Sequence, residues 1–183
     1  MMISEEELIK KCLKGKPKYQ KMLFDKYAPK MFGVVSRYFS SYAEAQDALQ
    51  DGFVKVFMKL GDYSGLGSFE GWIRRIMINT SLNNIRQNLK HQFHVDVDDV
   101  QEFIEDESQS YDRLTTEDML NVIREMPAGY RTVFNLYEIE GYHHNEIAVE
   151  LGISVNTSKS QLLKARAYLR KRIAKLYEGR DEK

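Results

Sequence analysis

The sequence predicts an all-α protein: two small helical domains joined by an acidic flexible linker, the C-terminal one with a helix-turn-helix. Three observations lead there. Apolar residues recur at spacings of three and four along most of the 183 residues, and strand-type alternation is hard to find. Proline is rare (Pro17, Pro29, Pro127), so little interrupts a helix. Charge is unevenly spread although the net charge is zero. Residues 1–90 carry 15 Lys/Arg and 9 Asp/Glu, residues 91–113 one Arg and 8 acids, and residues 114–183 11 and 10. Two neutral-to-basic blocks around an acidic segment suggest domains at 1–90 and 114–183, with 91–113 as tether.

The first helix is expected over residues 3–16. Ser4 is its cap, glutamates 5–7 fill its first turn and lysines its end, which suits the helix dipole. Residues 17–40 form a second helical stretch, with Tyr19, Leu23, Tyr27, Met31, Val34, Val35 and Tyr38 at helical spacing and a bend expected at Pro29. The most regular helix runs from Ser41 to Leu60. Its wide apolar stripe comprises Ala45, Ala48, Leu49, Phe53, Val56, Phe57 and Leu60, with Asp47, Gln50 and Asp51 to one side. Residues 61–68 (GDYSGLGS) form a glycine-rich loop.

A long helix from Phe69 to Lys90 follows, mixing apolar residues with Arg74, Arg75, Asn79, Asn83, Asn84 and Arg86. Rings, cations and amides beside a glycine-rich loop resemble a surface for single-stranded nucleic acid. The more ordinary reading places Trp72 and Phe69 in the core, and the sequence leaves both open. In the acidic segment His91 and His94 have a metal-compatible spacing, but no further ligand joins them.

In the second domain, Thr115 or Thr116 caps a helix that Pro127 and Gly129 break. Another runs from Tyr130 to Glu140 and ends at Gly141. The stretch His143–Lys175 then reads HHNEIAVELGISVNTSKSQLLKARAYLRKRIAK. Ile147, Ala148 and Leu151 share one face of a short helix, Gly152 closes it, and Ser154 caps a helix from about Val155 to Tyr177. That helix has the apolar seam Leu162, Leu169, Ile173 and Leu176. It carries Lys159, Lys164, Arg166, Arg170, Lys171, Arg172 and Lys175, and no acid. The pattern fits a plain helical hairpin with a solvated basic face, and it fits a helix-turn-helix. The polar run Asn156, Thr157, Ser158, Lys159, Ser160 and Gln161 favours the second reading. Small hydrogen-bonding groups at the start of a second helix are what reach bases in a major groove. The tail from Gly179 is expected to fray.

The single Cys12 excludes an intrachain disulfide framework and fits a reducing compartment. No apolar run approaches 18 residues and no signal-peptide pattern is seen, so a soluble cytoplasmic protein without membrane insertion is expected. No GxxxxGK[ST], GxSxG, HExxH or CxxC motif occurs. No catalytic residues, metal or cofactor are read, and an enzyme is not expected.

Taken together, YAPKMFGVVSRYF, DALQDGFVKVFMKL, SFEGWIRRIMINTSLNNIR and the stretch from MPAGYRTVFNLYEIEGYHHNEIAVELG to ISVNTSKSQLLKARAYLRK resemble, in order and spacing, a bacterial RNA polymerase sigma factor of the extracytoplasmic-function (ECF) group. The resemblance covers nearly everything from Tyr19 to Lys175 except the linker. It implies a non-enzymatic protein that binds core RNA polymerase, directs it to promoters and helps melt DNA. Asp47, Leu49, Gln50, Asp51 and Phe53 would then dock on the beta-prime clamp. The loop and following helix would hold the −10 element through Tyr63, Ser64, Ser68, Phe69, Trp72, Arg74, Arg75, Asn79, Asn83 and Arg86, with one base flipped out of the stack. The −35 element would fall to Asn156, Thr157, Ser158, Lys159, Ser160, Gln161, Lys164 and Arg166. The implied partners are the clamp and the beta flap of core polymerase, promoter DNA and an anti-sigma factor. The linker would thread the polymerase.

Two residues depart from the family's usual pattern. Ser158 stands where a valine is common, at a position that such units usually bury, and Gln161 stands where an arginine is common. A Gln suits adenine better than guanine. Two other function classes compete: a DNA-binding regulator using only the C-terminal domain, and a sigma-like adaptor that no longer binds polymerase. The matches at Asp47–Phe53 and at Trp72–Asn79 argue against the first, and a core-polymerase pull-down separates all three.

Overall fold

A computed structural model describes residues 3–89 and 115–181; the expected linker, with His91 and His94, lies outside them. The chain forms two compact units, Met1–Ile85 and Arg86–Lys183. Among the described residues every regular element is helical.

Unit one holds α1 (Glu5–Leu13), α2 (Pro17–Val35), α3 (Tyr42–Met58), a 3-10 turn (Leu60–Asp62) and α4, Phe69–Leu89, whose last turn passes the unit boundary. Local chemistry sets the starts. The Ser4 hydroxyl accepts from the Glu7 amide at 3.2 Å, and Ser41 caps α3. Pro17 sits in the first turn of α2, where its missing N–H costs nothing. The expected bend at Pro29 does not divide the element: α2 is one helix to Val35, with Pro29 on its exposed side. It ends before residue 40, and Tyr38 and Phe39 leave it to enter the core.

The core of this unit is built from Leu23, Met31 and Val35 of α2, Phe53 and Val56 of α3, and Ile73, Met77 and Leu82 of α4, all at most 2% exposed. Phe24 meets Phe53 at 4.6 Å between ring centroids, and Tyr27 meets Phe69 edge-on at 5.6 Å. The Tyr27 hydroxyl also hydrogen-bonds the Glu5 carboxylate, joining α1 to α2. That bond holds the Glu5 carboxyl below its usual range, and burial first, then Glu5, push the Tyr27 phenol up. At one position a side chain would have to displace a neighbour. A β-carbon placed on Gly52 would meet the Met77 sulfur at 2.2 Å. Gly52 thus leaves the room that the buried end of the Met77 side chain occupies.

Unit two holds α5 (Thr116–Glu125), α6 (Ala128–Phe134), a π-helical turn (Asn135–Ile139), α7 (His144–Leu151) and α8 (Val155–Asp181). Thr115 and Asp118 form a reciprocal capping box at the start of α5. At its other end the buried Arg131 donates Nη1 to the carbonyls of Arg124 (2.6 Å) and Met126 (3.2 Å), satisfying helix-end acceptors. The single helix expected from Tyr130 to Glu140 is instead α6 followed by the π turn. The buried Asn135 donates its side-chain amide to the Arg131 carbonyl at 2.9 Å, and Glu140 N–H reaches back five residues to the Asn135 carbonyl. α8 packs on α5, α6 and α7, with Ala165 and Leu169 beside Val122, Ile123 and Met126. It runs to Asp181, past the fraying expected from Gly179.

Replacing Gly52 with Val is expected to destabilise unit one by about 1–3 kcal/mol, because fully buried Met77 must leave a rotamer that nothing else fills. Urea unfolding would measure the loss, and adding Met77→Ala should return part of it. Equal stability of Gly52→Val and wild type would refute the packing argument.

Candidate functional site

Three surfaces carry the residues singled out above. The first is the outer side of α3. Asp47, Gln50 and Asp51 are exposed there. Leu49 and Phe53, expected to meet a partner, do not share this surface. They are 8% and 2% exposed and belong to the core side of the helix, where Phe53 packs on Phe24 and Phe57. The apolar groups that do face outward are Val54 and Met58, 58% and 79% exposed. Spacings of four, three and four from Asp47 through Asp51 and Val54 to Met58 put them on one face. The sequence carried that signal, since Val54 and Met58 fall off the core stripe.

The second surface joins the glycine-rich loop to α4. Tyr63, Phe69 and Trp72 form one cluster, with centroids 4.9 to 5.6 Å apart and Phe69 stacked on Trp72 at 15°. Phe69 is 1% exposed and so supports the cluster from below instead of touching a ligand. Tyr63 and Trp72 are half-buried, each with an open edge. The Ser68 hydroxyl accepts from Gly71 N–H at 3.1 Å and starts the helix. Further along, Arg75, Asn79 and Asn83 are exposed, and Arg74 and Arg86 half-buried. Asn79 and Asn83 line a cavity of about 210 Å³ with Ile76 and Thr80 of α4, Lys55 of α3 and Lys59, which caps the end of α3. The two lysines were not among the sequence candidates. Their placement beside the asparagines depends on how α3 meets α4, which no local pattern encodes. Ammonium groups for a phosphate and amides for a base edge thus line one hollow.

The third surface is the helix-turn-helix. Glu146 accepts from the His143 N–H at 2.7 Å and starts α7. Gly152 closes it at φ +66, the left-handed conformation that favours glycine. The Ser154 hydroxyl then accepts from the Thr157 amide at 2.9 Å, fixing the first turn of α8. Asn156, Lys159 and Ser160 are exposed on that turn and the next; Thr157, Gln161 and Lys164 are half-buried. Arg166 is exposed but engaged, its guanidinium 2.6 Å from Glu138 and lying over the Tyr137 ring.

Ser158 must be taken out of the DNA-facing set. It is 0% exposed and points into the unit, where an aliphatic residue would ordinarily pack. Its hydroxyl is held by His144 Nδ1 at 2.9 Å. His144 in turn stacks on Tyr137 at 4.5 Å. A polar pair thus replaces an apolar contact between α7 and α8, and each partner satisfies the other. Burial first, then Lys159 and Arg166, lower the His144 pKa from its ordinary value.

No helix among the described residues is long and apolar enough to cross a membrane. Nor do three or more His, Cys, Asp or Glu side chains group there as metal ligands.

A helix-turn-helix in the second unit marks the chain as a DNA-binding protein. Comparison with known proteins sharpens this. Residues 23–90 match the family model for Sigma-70 region 2, and residues 116–169 that for Sigma-70 region 4; together they span more than half of the chain. The chain is 28% identical over 183 residues to the RNA polymerase sigma-H factor of Pseudomonas aeruginosa, covering 94% of this chain and 95% of that one. It is 25% identical over 175 residues to the ECF RNA polymerase sigma-E factor of Escherichia coli K12, covering 90% and 91%. In fold it is similar to the sigma factor RpoE of Bartonella quintana, solved with the anti-sigma factor NepR. The TM-score is 0.50 at 19% identity, over 84% of this chain and 96% of that one. The chain belongs to the sigma-70 family, as a sigma factor of the ECF type. Its function is promoter-specific initiation of transcription.

The lowered His144 pKa has a definite sign. The unfolded chain binds a proton more readily than the folded one, so this group's contribution is present above pH about 6.5 and lost as pH falls through the folded-state value. Thermal unfolding of the whole chain should therefore show a steeper loss between pH 7 and 5 than His144→Asn shows. Parallel profiles would refute the assignment.

Proposed function

We propose that α3 docks this chain on the clamp of core RNA polymerase, that the loop and α4 hold the −10 element, and that the start of α8 reads the −35 element. The observation that carries this reading is the hollow between α3 and α4. Lys55, Lys59, Asn79 and Asn83 converge there, while the adjoining outer face of α3 presents acids beside apolar groups, with Asp51 one turn before Lys55. One helix pair thus offers adjoining surfaces for nucleic acid and for a protein.

Each surface has the chemistry for its task. Asp47, Gln50 and Asp51 pair with cationic or amide groups of the clamp, and Val54 and Met58 supply the buried apolar contact. A single base, lifted from the stack, lies in the hollow, with Asn79 and Asn83 on its edge, the lysines on the backbone, and Tyr63 and Trp72 as open ring edges nearby. Arg74, Arg75 and Arg86 hold phosphates or the strand being separated. In the major groove, Asn156, Lys159, Ser160 and Gln161 reach base edges, while Thr157, Lys164 and Arg166 serve the backbone. The beta flap receives the C-terminal unit. The acidic residues 91–113 occupy a basic channel of the polymerase as a mimic of nucleic acid. An anti-sigma factor completes the partners, on the ground of family membership. The protein works in the cytoplasm by binding alone, with no reaction of its own.

Run-off transcription with purified core polymerase on genomic fragments tests the whole reading; no promoter-dependent transcript and no capture of core would overturn it. Asp51→Arg should weaken core binding roughly tenfold or more by setting like charges together, with binding to isolated DNA unchanged. Lys159→Ala should weaken −35 binding by about 1–3 kcal/mol if the ammonium contacts a base. A loss that is equal across sequences would make it a phosphate contact instead.

A further inference from the structure

Helix α1 lies before residue 23, where the match to Sigma-70 region 2 begins. The reading above gives it no task beyond covering the core with Leu8 and Cys12. Its first residue reaches further. The Glu5 carboxylate accepts a hydrogen bond from the Tyr27 hydroxyl and pairs with Lys26 at 3.0 Å. Tyr27 is 3% exposed, and its ring meets Phe69 edge-on. Phe69, also buried, stacks on Trp72 and meets Tyr63. Two ring contacts thus separate the start of α1 from the open edges of Tyr63 and Trp72. A second link runs from Lys30 of α2 to Glu70, in the first turn of α4, at 2.7 Å. Both ion pairs, Tyr27 and the start of α4 line one cavity of about 370 Å³. The links are unequal. The ion pairs are exposed to water and hold weakly. The Tyr27 phenol is buried, and without Glu5 it would be a buried donor lacking its carboxylate, which costs more than an ordinary hydrogen bond gains. The ring would then shift toward Glu70, whose charge also bears on the phenol, and Phe69 rests against that ring.

We propose that Glu5 is a positioning residue for the −10 element: through Tyr27 and Phe69 it holds the rings of Tyr63 and Trp72 in the attitude that meets a base. This rests on the reading that the loop and α4 hold that element. Glu5 itself makes no contact with nucleic acid. A ring that is already oriented loses little freedom when a base packs on it, so bracing tightens binding without adding a contact. Coupling between separated groups is carried by packed side chains and hydrogen bonds, and each link here is a direct contact within one compact unit.

Trp72 is the only tryptophan in the chain, so the emission of the free protein reports the cluster directly. Binding is read with holoenzyme, reconstituted from core polymerase and the full chain, on a labelled single strand carrying the −10 element of a promoter recovered by the run-off screen. Glu5→Ala should shift the Trp72 emission and weaken binding of that strand about fivefold, the size of one hydrogen bond, with capture of core unchanged. Glu5→Gln, which keeps an acceptor oxygen but no charge, should restore most of both. Tyr27→Phe removes the donor, and adding Glu5→Ala to it should cost nothing more. Glu6→Ala removes a charge from the same helix turn and should bind the strand as wild type does. Normal binding by Glu5→Ala would overturn the relay. So would equal impairment in Glu6→Ala, additive losses from Glu5→Ala and Tyr27→Phe, or a Trp72 emission that Glu5→Ala leaves unmoved. If wild-type holoenzyme binds the −10 strand no better than a scrambled one, the −10 assignment itself falls and the proposal with it.

Discussion

In the first unit α3 and α4 meet where Gly52 makes room for the Met77 side chain. In the proposed reading α3 serves two adjoining surfaces, and α4 lies against it closely enough for Lys55 and Lys59 to share a hollow with Asn79 and Asn83. Any side chain at residue 52 would occupy the place of the Met77 sulfur. Helix propensity argues against a glycine in mid-helix, so its presence marks a position where proximity outweighs local preference. The acids of α3 and the amides of α4, which the proposed function assigns to protein and to nucleic acid, lie on helices that meet at this contact.

In the second unit the equivalent role falls to buried polar groups. Arg131 closes the end of α5, Asn135 bonds back to Arg131 within the π turn, and Ser158 with His144 joins the two helices of the DNA-reading pair. Polar pairs of this kind are directional where apolar contacts are not, and leaving either partner unmatched in a buried site is costly. Of these, the Ser158–His144 bond ties α8 to α7 on the side away from the exposed Asn156, Lys159 and Ser160.

Much of this was legible in the sequence because it is local. Ser4, Ser41, Thr115 and Gly152 mark helix ends through their own chemistry, and the core faces of α5, α7 and α8 follow from spacing. The family resemblance added the division of labour. What escaped notice is non-local. Leu49 and Phe53 looked available to a partner because the stripe on α3 is wide, and only packing against α2 shows which of its edges is covered. Lys55 and Lys59 acquire meaning from a helix 20 or more positions away. Ser158 was recognisable as a residue at a position usually buried, but nothing in its neighbourhood names His144 as the group that satisfies it. The π turn at Asn135 interrupts an apolar pattern that is equally consistent with a plain α-helix.

The Ser158–His144 pair bears on how promoter preference can change in such a protein. Where an aliphatic residue fills the junction, the reading helix is a module: it can be exchanged between relatives, because one hydrocarbon contact resembles another. Here the junction is a matched pair divided between two helices. A grafted helix carrying valine would leave the half-exposed imidazole to water, and a grafted first helix lacking histidine would strand the buried hydroxyl. New specificity must therefore arise either through the outward residues alone, or by inheritance of α7 and α8 as one block.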